Sequence, residues 1–106
     1  MNQEQAKIIY KLASLEYQEE NLISGINIEM PEDLISEALQ VLQDIDNNQD
    51  VDLLKAEILK LDFNFWCDVE ETGYEELVYQ NSSWIKIREL AQKALENLGF
   101  KLNDFN

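Results

Sequence analysis

Apolar residues recur at helical spacing along most of the chain, and this pattern predicts the fold. In four segments they return every three or four residues, which is the period of an amphipathic α-helix. The predicted helices span residues 4–20, 31–45 and 52–66, and the stretch from a cap at Ser82 or Ser83 to Leu98. A shorter helix is predicted at residues 74–79. We therefore expect one all-α domain over residues 1–106, a small four- to five-helix bundle.

Two short segments leave a second architecture open. INIEM at residues 26–30 alternates apolar and polar side chains, as a half-buried strand does. ELVYQ at residues 76–80 is β-branched and aromatic enough to pair with it. The alternative prediction is therefore an α+β domain with a short two-stranded sheet.

Composition supports a folded domain with an unusual charge. The chain has 106 residues, 45% of them hydrophobic, which is enough to bury a core. Its formal net charge is −14. Such a field repels nucleic-acid phosphates and anionic membrane surfaces, so neither is expected as a direct partner. Basic proteins and metal cations are the partners that this charge favours.

The residues that the chain lacks argue against most enzymatic chemistry. There is no histidine, so Ser-His-Asp and Cys-His pairs and imidazole zinc sites cannot form within the chain. Three scattered glycines do not make a phosphate-binding loop. The single cysteine, Cys67, has no nearby histidine or lysine in sequence to activate it, and we expect it to be buried. We expect a protein that is not an enzyme.

Features of the sequence related to localisation favour the cytoplasm. The first residues, MNQEQAKIIYK, lack the basic start and apolar run of a signal peptide. No apolar stretch is long enough to span a membrane. A lone cysteine cannot form an internal disulfide, which suits a reducing compartment.

The stretch DIDNNQDVDLLKAE at residues 44–57 offers a calcium hypothesis. Calcium takes six to eight oxygen ligands, which an EF-hand loop supplies at its odd positions and at its twelfth. A loop that starts at Asp44 has Lys55 in the twelfth position, which excludes that register. Starting at Asp46, the stretch and its apolar flanks (about 35–65) resemble an EF-hand. The candidate metal ligands are then Asp46, Asn48, Asp50, Asp52 and Glu57.

Two positions in that register argue against calcium binding. Val51 stands where the sharp turn requires glycine, and a β-branched residue at positive φ is strained. Leu54 removes the ligand at the ninth position. The competing interpretation is an acidic helix–helix joint, with a turn at Asn47-Asn48 and Asp50 or Asp52 as an N-cap. No cofactor is therefore expected, with calcium as the alternative.

Long windows without lysine or arginine indicate an acidic surface. One covers residues 12–54 and another residues 61–85. In the second window carboxylates alternate with aromatic residues, and tyrosine or tryptophan ringed by carboxylates suits contact with Arg- and Lys-rich surfaces. The candidate partner-binding residues are Glu70, Glu71, Tyr74, Glu75, Glu76 and Tyr79.

Together these patterns predict a non-enzymatic, acidic protein-interaction domain. The specific hypothesis is an inhibitor or immunity-type protein, or a nucleic-acid mimic, that covers the phosphate-binding cleft of a basic nuclease or toxin. A solvated acidic surface without a dedicated partner is the simpler interpretation. A small calcium-binding protein with a degenerate EF-hand-like loop at residues 46–57 is the alternative function.

Overall fold

A computed structural model describes residues 1–24 and 29–105 of the chain. Those residues form seven α-helices and no strand, so the all-α prediction is confirmed, with more helices than the four or five expected. The helices are α1 Gln3–Ala13, α2 Leu15–Gln18, α3 Pro31–Gln43, α4 Gln49–Leu59, α5 Phe63–Thr72, α6 Tyr74–Gln80 and α7 Ser82–Asn97. A π-helix, Glu19–Ile23, follows α2, and a 3-10 helix, Leu102–Phe105, follows α7.

Four helices build the core, and they correspond to the four strongest sequence patterns. Helix α7 packs against α1 and α4, and α3 also packs against α1 and α4. Trp84, Leu54 and Leu12 are among the buried side chains at their centre. Helices α5 and α6 lie outside this group, where α6 packs on α5, α7 and the π-helix.

The first predicted helix, residues 4–20, is divided at Ser14. The backbone of Ser14 is extended, with φ −99° and ψ 114°. Its hydroxyl accepts a hydrogen bond from the Tyr17 N–H at 3.0 Å, which caps α2. An apolar stripe does not reveal this break, because the stripe continues across the capping residue.

The third predicted helix, residues 52–66, is also interrupted. Helix α4 begins earlier and ends at Leu59, and a tight turn separates it from α5. The carboxylate of Asp62 accepts a hydrogen bond from the Phe65 N–H at 2.9 Å and so starts α5. The aromatic sequence FNFWC therefore belongs to α5 and not to the end of α4.

The α+β alternative is wrong for its second candidate strand, because ELVYQ lies in α6. Leu77 and Val78 are both buried there. Consecutive side chains of a strand point to opposite faces, whereas two neighbours can share the buried side of a helix. The first candidate strand, INIEM, falls largely outside the described residues at positions 26–28; Glu29 and Met30 are not in a strand.

At its N-terminus α7 has a different cap from the one predicted, and at its C-terminus it has the predicted glycine cap. Asn81, not Ser82 or Ser83, is the N-cap, since its side chain accepts from the Trp84 N–H at 3.0 Å. At the other end Gly99 has φ +92°. The Phe100 N–H reaches the carbonyl of Leu95 at 3.1 Å, as expected of a glycine-terminated helix.

Candidate partner-binding site

The six predicted partner-binding residues lie where α5 turns into α6. We call the stretch from Glu70 to Tyr79 the α5–α6 corner. Gly73 makes the turn with φ +92° and ψ 169°, a conformation that is essentially restricted to glycine. Its N–H donates to the carbonyl of Val69 at 2.8 Å. The buried side chains of Leu77 and Val78 fix the orientation of α6.

The carboxylates of the corner face solvent. Glu70, Glu71, Glu75 and Glu76 are all exposed. Over residues 1–24 and 29–105, no lysine or arginine is within ion-pairing distance of any of them. The cations that do form ion pairs there pair with Glu29, Asp52 and Glu57. The corner is therefore a surface of uncompensated negative charge.

A groove runs beside the corner, between α5 and the start of α3. Its volume is ≈ 410 Å³. We call it the Tyr74 groove. Its lining residues are Met30, Glu32, Phe63, Trp66, Cys67, Val69, Glu70 and Tyr74. Phe63 at its mouth is 80% exposed, an unusual state for a phenylalanine.

Tyr74 connects the groove to the carboxylates. Burial raises the pKa of its phenol, and the charges of Glu32 and Glu70 raise it further. The phenol is therefore harder to deprotonate than an exposed tyrosine, and its half-buried ring lines the groove together with both glutamates. A second cavity shares Tyr74 and Glu70 with the groove and is also lined by Leu22, Gly73 and Glu75.

Tyr79, at the end of the corner, has its hydroxyl engaged in a hydrogen bond to another part of the chain. Its hydroxyl donates a 2.5 Å hydrogen bond to the carboxylate of Glu19 in the π-helix. This hydrogen bond is the largest cause of the raised pKa of Tyr79, ahead of burial and the charges of Glu19 and Glu75. The side chain is still 42% exposed, so its ring is available for contact although its hydroxyl is engaged.

The half-buried side chain of Arg88 forms hydrogen bonds that stabilise α6. Nη1 of Arg88 donates to the carbonyl of Val78 and to Oε1 of Gln18, both at 3.0 Å. Burial lowers the pKa of Arg88 from its ordinary value, although the charges of Glu89 and Glu19 oppose that shift. Two of its hydrogen bonds are thus made inside the fold, and it forms no ion pair with the carboxylates of the corner.

Sequence reasoning missed the residues that reach the site from other parts of the chain. Glu19, Met30 and Glu32 join the corner only through tertiary packing, and no local pattern identifies them. The expectation that Cys67 is buried is wrong, because its side chain is exposed on α5. Val69 is the only buried residue of α5, so most of the surface of this helix is accessible to solvent.

The five candidate calcium ligands do not adopt an EF-hand loop. Asp46 and Asn48 precede α4, whereas Asp50, Asp52 and Glu57 lie within it. The Asn48 side chain instead caps α4, accepting from the Val51 N–H at 3.1 Å. No cluster of three or more potential metal-ligating side chains occurs in the described part of the chain. The calcium hypothesis gains no support from this arrangement and stays a prediction.

Two residues of the predicted loop, one at its turn position and one a candidate ligand, have other roles. Val51 is fully buried in the core, and the carboxylate of Glu57 pairs with Lys60 at 3.2 Å and with Lys86 at 3.5 Å. The helix cap predicted at Asp50 or Asp52 is provided by Asn48. The acidic stretch is therefore folded as a joint between α3 and α4, followed by the first turns of α4.

Comparison of the chain with protein-family models, curated proteins and solved structures gives no match. Within residues 1–24 and 29–105, no helix has both the length and the apolar character required to cross a bilayer. The charge, the exposed aromatic residues and the grooves are therefore the features of this chain that indicate a function.

Proposed function

We propose that this chain is a non-enzymatic, acidic protein-interaction domain that binds a basic protein through the α5–α6 corner. The partner class is a nuclease or toxin with a phosphate-binding cleft, and the chain acts on it as an inhibitor or immunity-type protein. The exposed thiol of Cys67 suits a reducing compartment, so the cytoplasm is the proposed location.

The observation that carries the proposal is the combination of unpaired carboxylates with accessible aromatic surface. Glu70, Glu71, Glu75 and Glu76 have no cation among the described residues, and Tyr79 and Phe63 are exposed beside them. Interface hot spots are enriched in aromatic residues, and complementary charge speeds association and selects the partner. A purely solvated acidic face does not require an exposed phenylalanine at the edge of a groove.

The proposed mechanism is competition for a phosphate site. A cleft that binds a nucleic-acid backbone carries lysine and arginine side chains spaced to contact successive phosphates. Carboxylates on one rigid corner can pair with those cations, while the tyrosine rings pack against the apolar surface between them. Binding would then exclude the nucleic acid without any chemical step.

The test is capture followed by inhibition. The immobilised chain is incubated with a lysate from its native source, and retained proteins are identified at low and at raised salt. We expect a basic nucleic-acid-processing enzyme that is released as salt increases. The purified enzyme should lose nuclease activity when the chain is added in excess.

A pair of charge variants makes the test specific to the corner. Glu75→Gln/Glu76→Gln should weaken inhibition, whereas Glu4→Gln/Glu96→Gln removes the same charge elsewhere and should change it little. Glu96 lies about 21 Å along α7 from the α6 end of that helix. Retention of no basic protein, binding that ignores salt, or equal effects of the two double variants would each contradict the proposal.

A further inference from the structure

We propose that the Tyr74 groove is a receptor for an arginine side chain on the basic partner. This inference rests on the proposed function, because it names the side chain that the same surface recognises. It also assigns separate roles to the two sides of the site. The groove supplies specific recognition, and the outer carboxylates Glu75 and Glu76 supply long-range attraction.

The aromatic lining of the groove is the first observation. Trp66 and Tyr74 are half-buried, and Phe63 stands exposed at the mouth. Tryptophan and tyrosine faces attract cations, and arginine is the cation most often found against them in proteins.

Charge complementarity is the second observation, and it is independent of the first. Glu32, at the start of α3, and Glu70, on α5, both line the groove. Tyr74 lines the groove with them, and the charge of each raises the pKa of its phenol. Within the described residues neither carboxylate has a lysine or arginine partner. The groove therefore presents two carboxylates that can pair with a cation from a partner.

The shape and lining favour arginine over other occupants. Met30 and Phe63 are exposed and provide apolar surface for the methylene stem of a long cationic side chain. The guanidinium is planar, weakly hydrated and able to stack on a ring while it pairs with carboxylates, whereas the lysine ammonium is a strongly hydrated point charge. An apolar side chain would leave both carboxylates unpaired. At ≈ 410 Å³ the groove is near the small end of the range of about 300–1,000 Å³ typical of ligand pockets, which suits one side chain.

Cys67 provides the readout, because it lines the groove, is exposed and is the chain's single cysteine. The probe is a peptide in which arginine alternates with glycine, and its counterpart carries lysine at every arginine position. The rate of Cys67 alkylation is measured against peptide concentration. We expect the arginine peptide to slow alkylation and the lysine peptide to require about tenfold more to reach the same protection.

Matched variants locate the binding in the groove. Glu32→Gln/Glu70→Gln should raise the Kd of the arginine peptide about tenfold, since it removes both charge partners. Glu75→Gln/Glu76→Gln makes the same charge change outside the groove and should raise that Kd less than about threefold. Phe63→Ala alters an exposed side chain, so we expect the fold to stay intact. It should raise the Kd of the arginine peptide more than the Kd of the lysine peptide.

The possible results separate this inference from the proposed function. Equal protection by the two peptides, equal effects of the two carboxylate pairs, or protection by an uncharged leucine–glycine peptide would overturn the arginine site. A captured basic partner that Glu75→Gln/Glu76→Gln weakens but Glu32→Gln/Glu70→Gln does not would overturn it too, while the proposed function stands. Selective protection by the arginine peptide without any captured basic protein would support the site and contradict the function.

Discussion

Nη1 of Arg88 donates a 3.0 Å hydrogen bond to Oε1 of Gln18, a residue 70 positions earlier in the chain. Gln18 is fully buried, and the same oxygen accepts from Nε1 of Trp84 at 3.2 Å. The amide nitrogen of Gln18 donates to the carbonyls of Lys11 and Leu12. One amide therefore joins the end of α1 to α7, and Arg88 extends the network to the carbonyl of Val78 in α6.

Replacing Gln18 with leucine should destabilise the protein by about 2–4 kcal/mol. The variant fills similar space but leaves the Trp84 indole N–H and one arginine donor without their acceptor in the interior, and each such loss costs about 1–3 kcal/mol. Urea denaturation followed by circular dichroism measures the change. Gln40→Leu, at an exposed position of α3, is the control and should cost less than about 0.5 kcal/mol. A change as small in Gln18→Leu would contradict the structural role of the network.

The core was predictable from sequence because its helices carry regular apolar stripes. The buried positions of α3 and α7, such as Leu34, Ala38, Ile87 and Ala91, follow the expected spacing. The breaks were not predictable from the stripes, since a capping side chain stops a helix without interrupting its periodicity. The cap at Ser14 is an example: its polar side chain competes with continued helix locally.

The candidate site was only half visible in the sequence. The carboxylates and tyrosines of the corner are close in sequence, so the local composition was enough to predict them as one surface. Glu19 and Glu32 belong to other elements, and their approach to Tyr79 and Tyr74 depends on how the π-helix and α3 pack. Tertiary contacts of this kind leave no local pattern, which is why the groove could not be predicted.

Gly73→Ala should cost about 1–3 kcal/mol and should also weaken binding at the corner. The strain comes from the backbone, because φ +92° with ψ 169° disfavours any residue with a Cβ, although the added Cβ itself meets no atom within 4 Å. Relief of that strain would shift α6 relative to α5 and open the groove. Gly99→Ala, at the end of α7, is the matched control, with φ also +92°. It should lower the Tm but leave partner affinity unchanged, and an equal loss of affinity in both variants would contradict this prediction.

Stability should fall in alkaline solution because of Tyr17. Burial is the main cause of its raised pKa, followed by the 3.0 Å hydrogen bond that its hydroxyl donates to Glu29. Since the folded pKa lies above the ordinary value of 10.0, the stabilising contribution is fully present below about pH 10. It is lost as pH rises further, because the phenol ionises in the unfolded chain while burial and the Glu29 carboxylate keep it protonated in the folded state.

Thermal melts from neutral to strongly alkaline pH measure the contribution of Tyr17. Tyr17→Phe lacks the titrating group, so its Tm should be lower than that of the unmodified chain at neutral pH but should decline less as pH rises above 10.0. Tyr79→Phe is the comparison at an exposed position and should change the alkaline slope less. Parallel curves for Tyr17→Phe and the unmodified chain would show that this phenol does not contribute.

Val51→Gly distinguishes the two interpretations of the acidic joint between α3 and α4. If residues 46–57 acted as an EF-hand loop, glycine at the turn position would relieve strain and strengthen calcium binding. As folded, Val51 is fully buried in the first turn of α4, so glycine removes core contacts and weakens the helix. We expect a loss of about 2–4 kcal/mol and no rise in Tm on addition of millimolar calcium.

Asp52→Gly, at an exposed position of the same turn, is the control and should cost only about 1 kcal/mol. A calcium-dependent rise in the Tm of Val51→Gly would show that the stretch can refold around the ion, because only binding to a structured state stabilises that state.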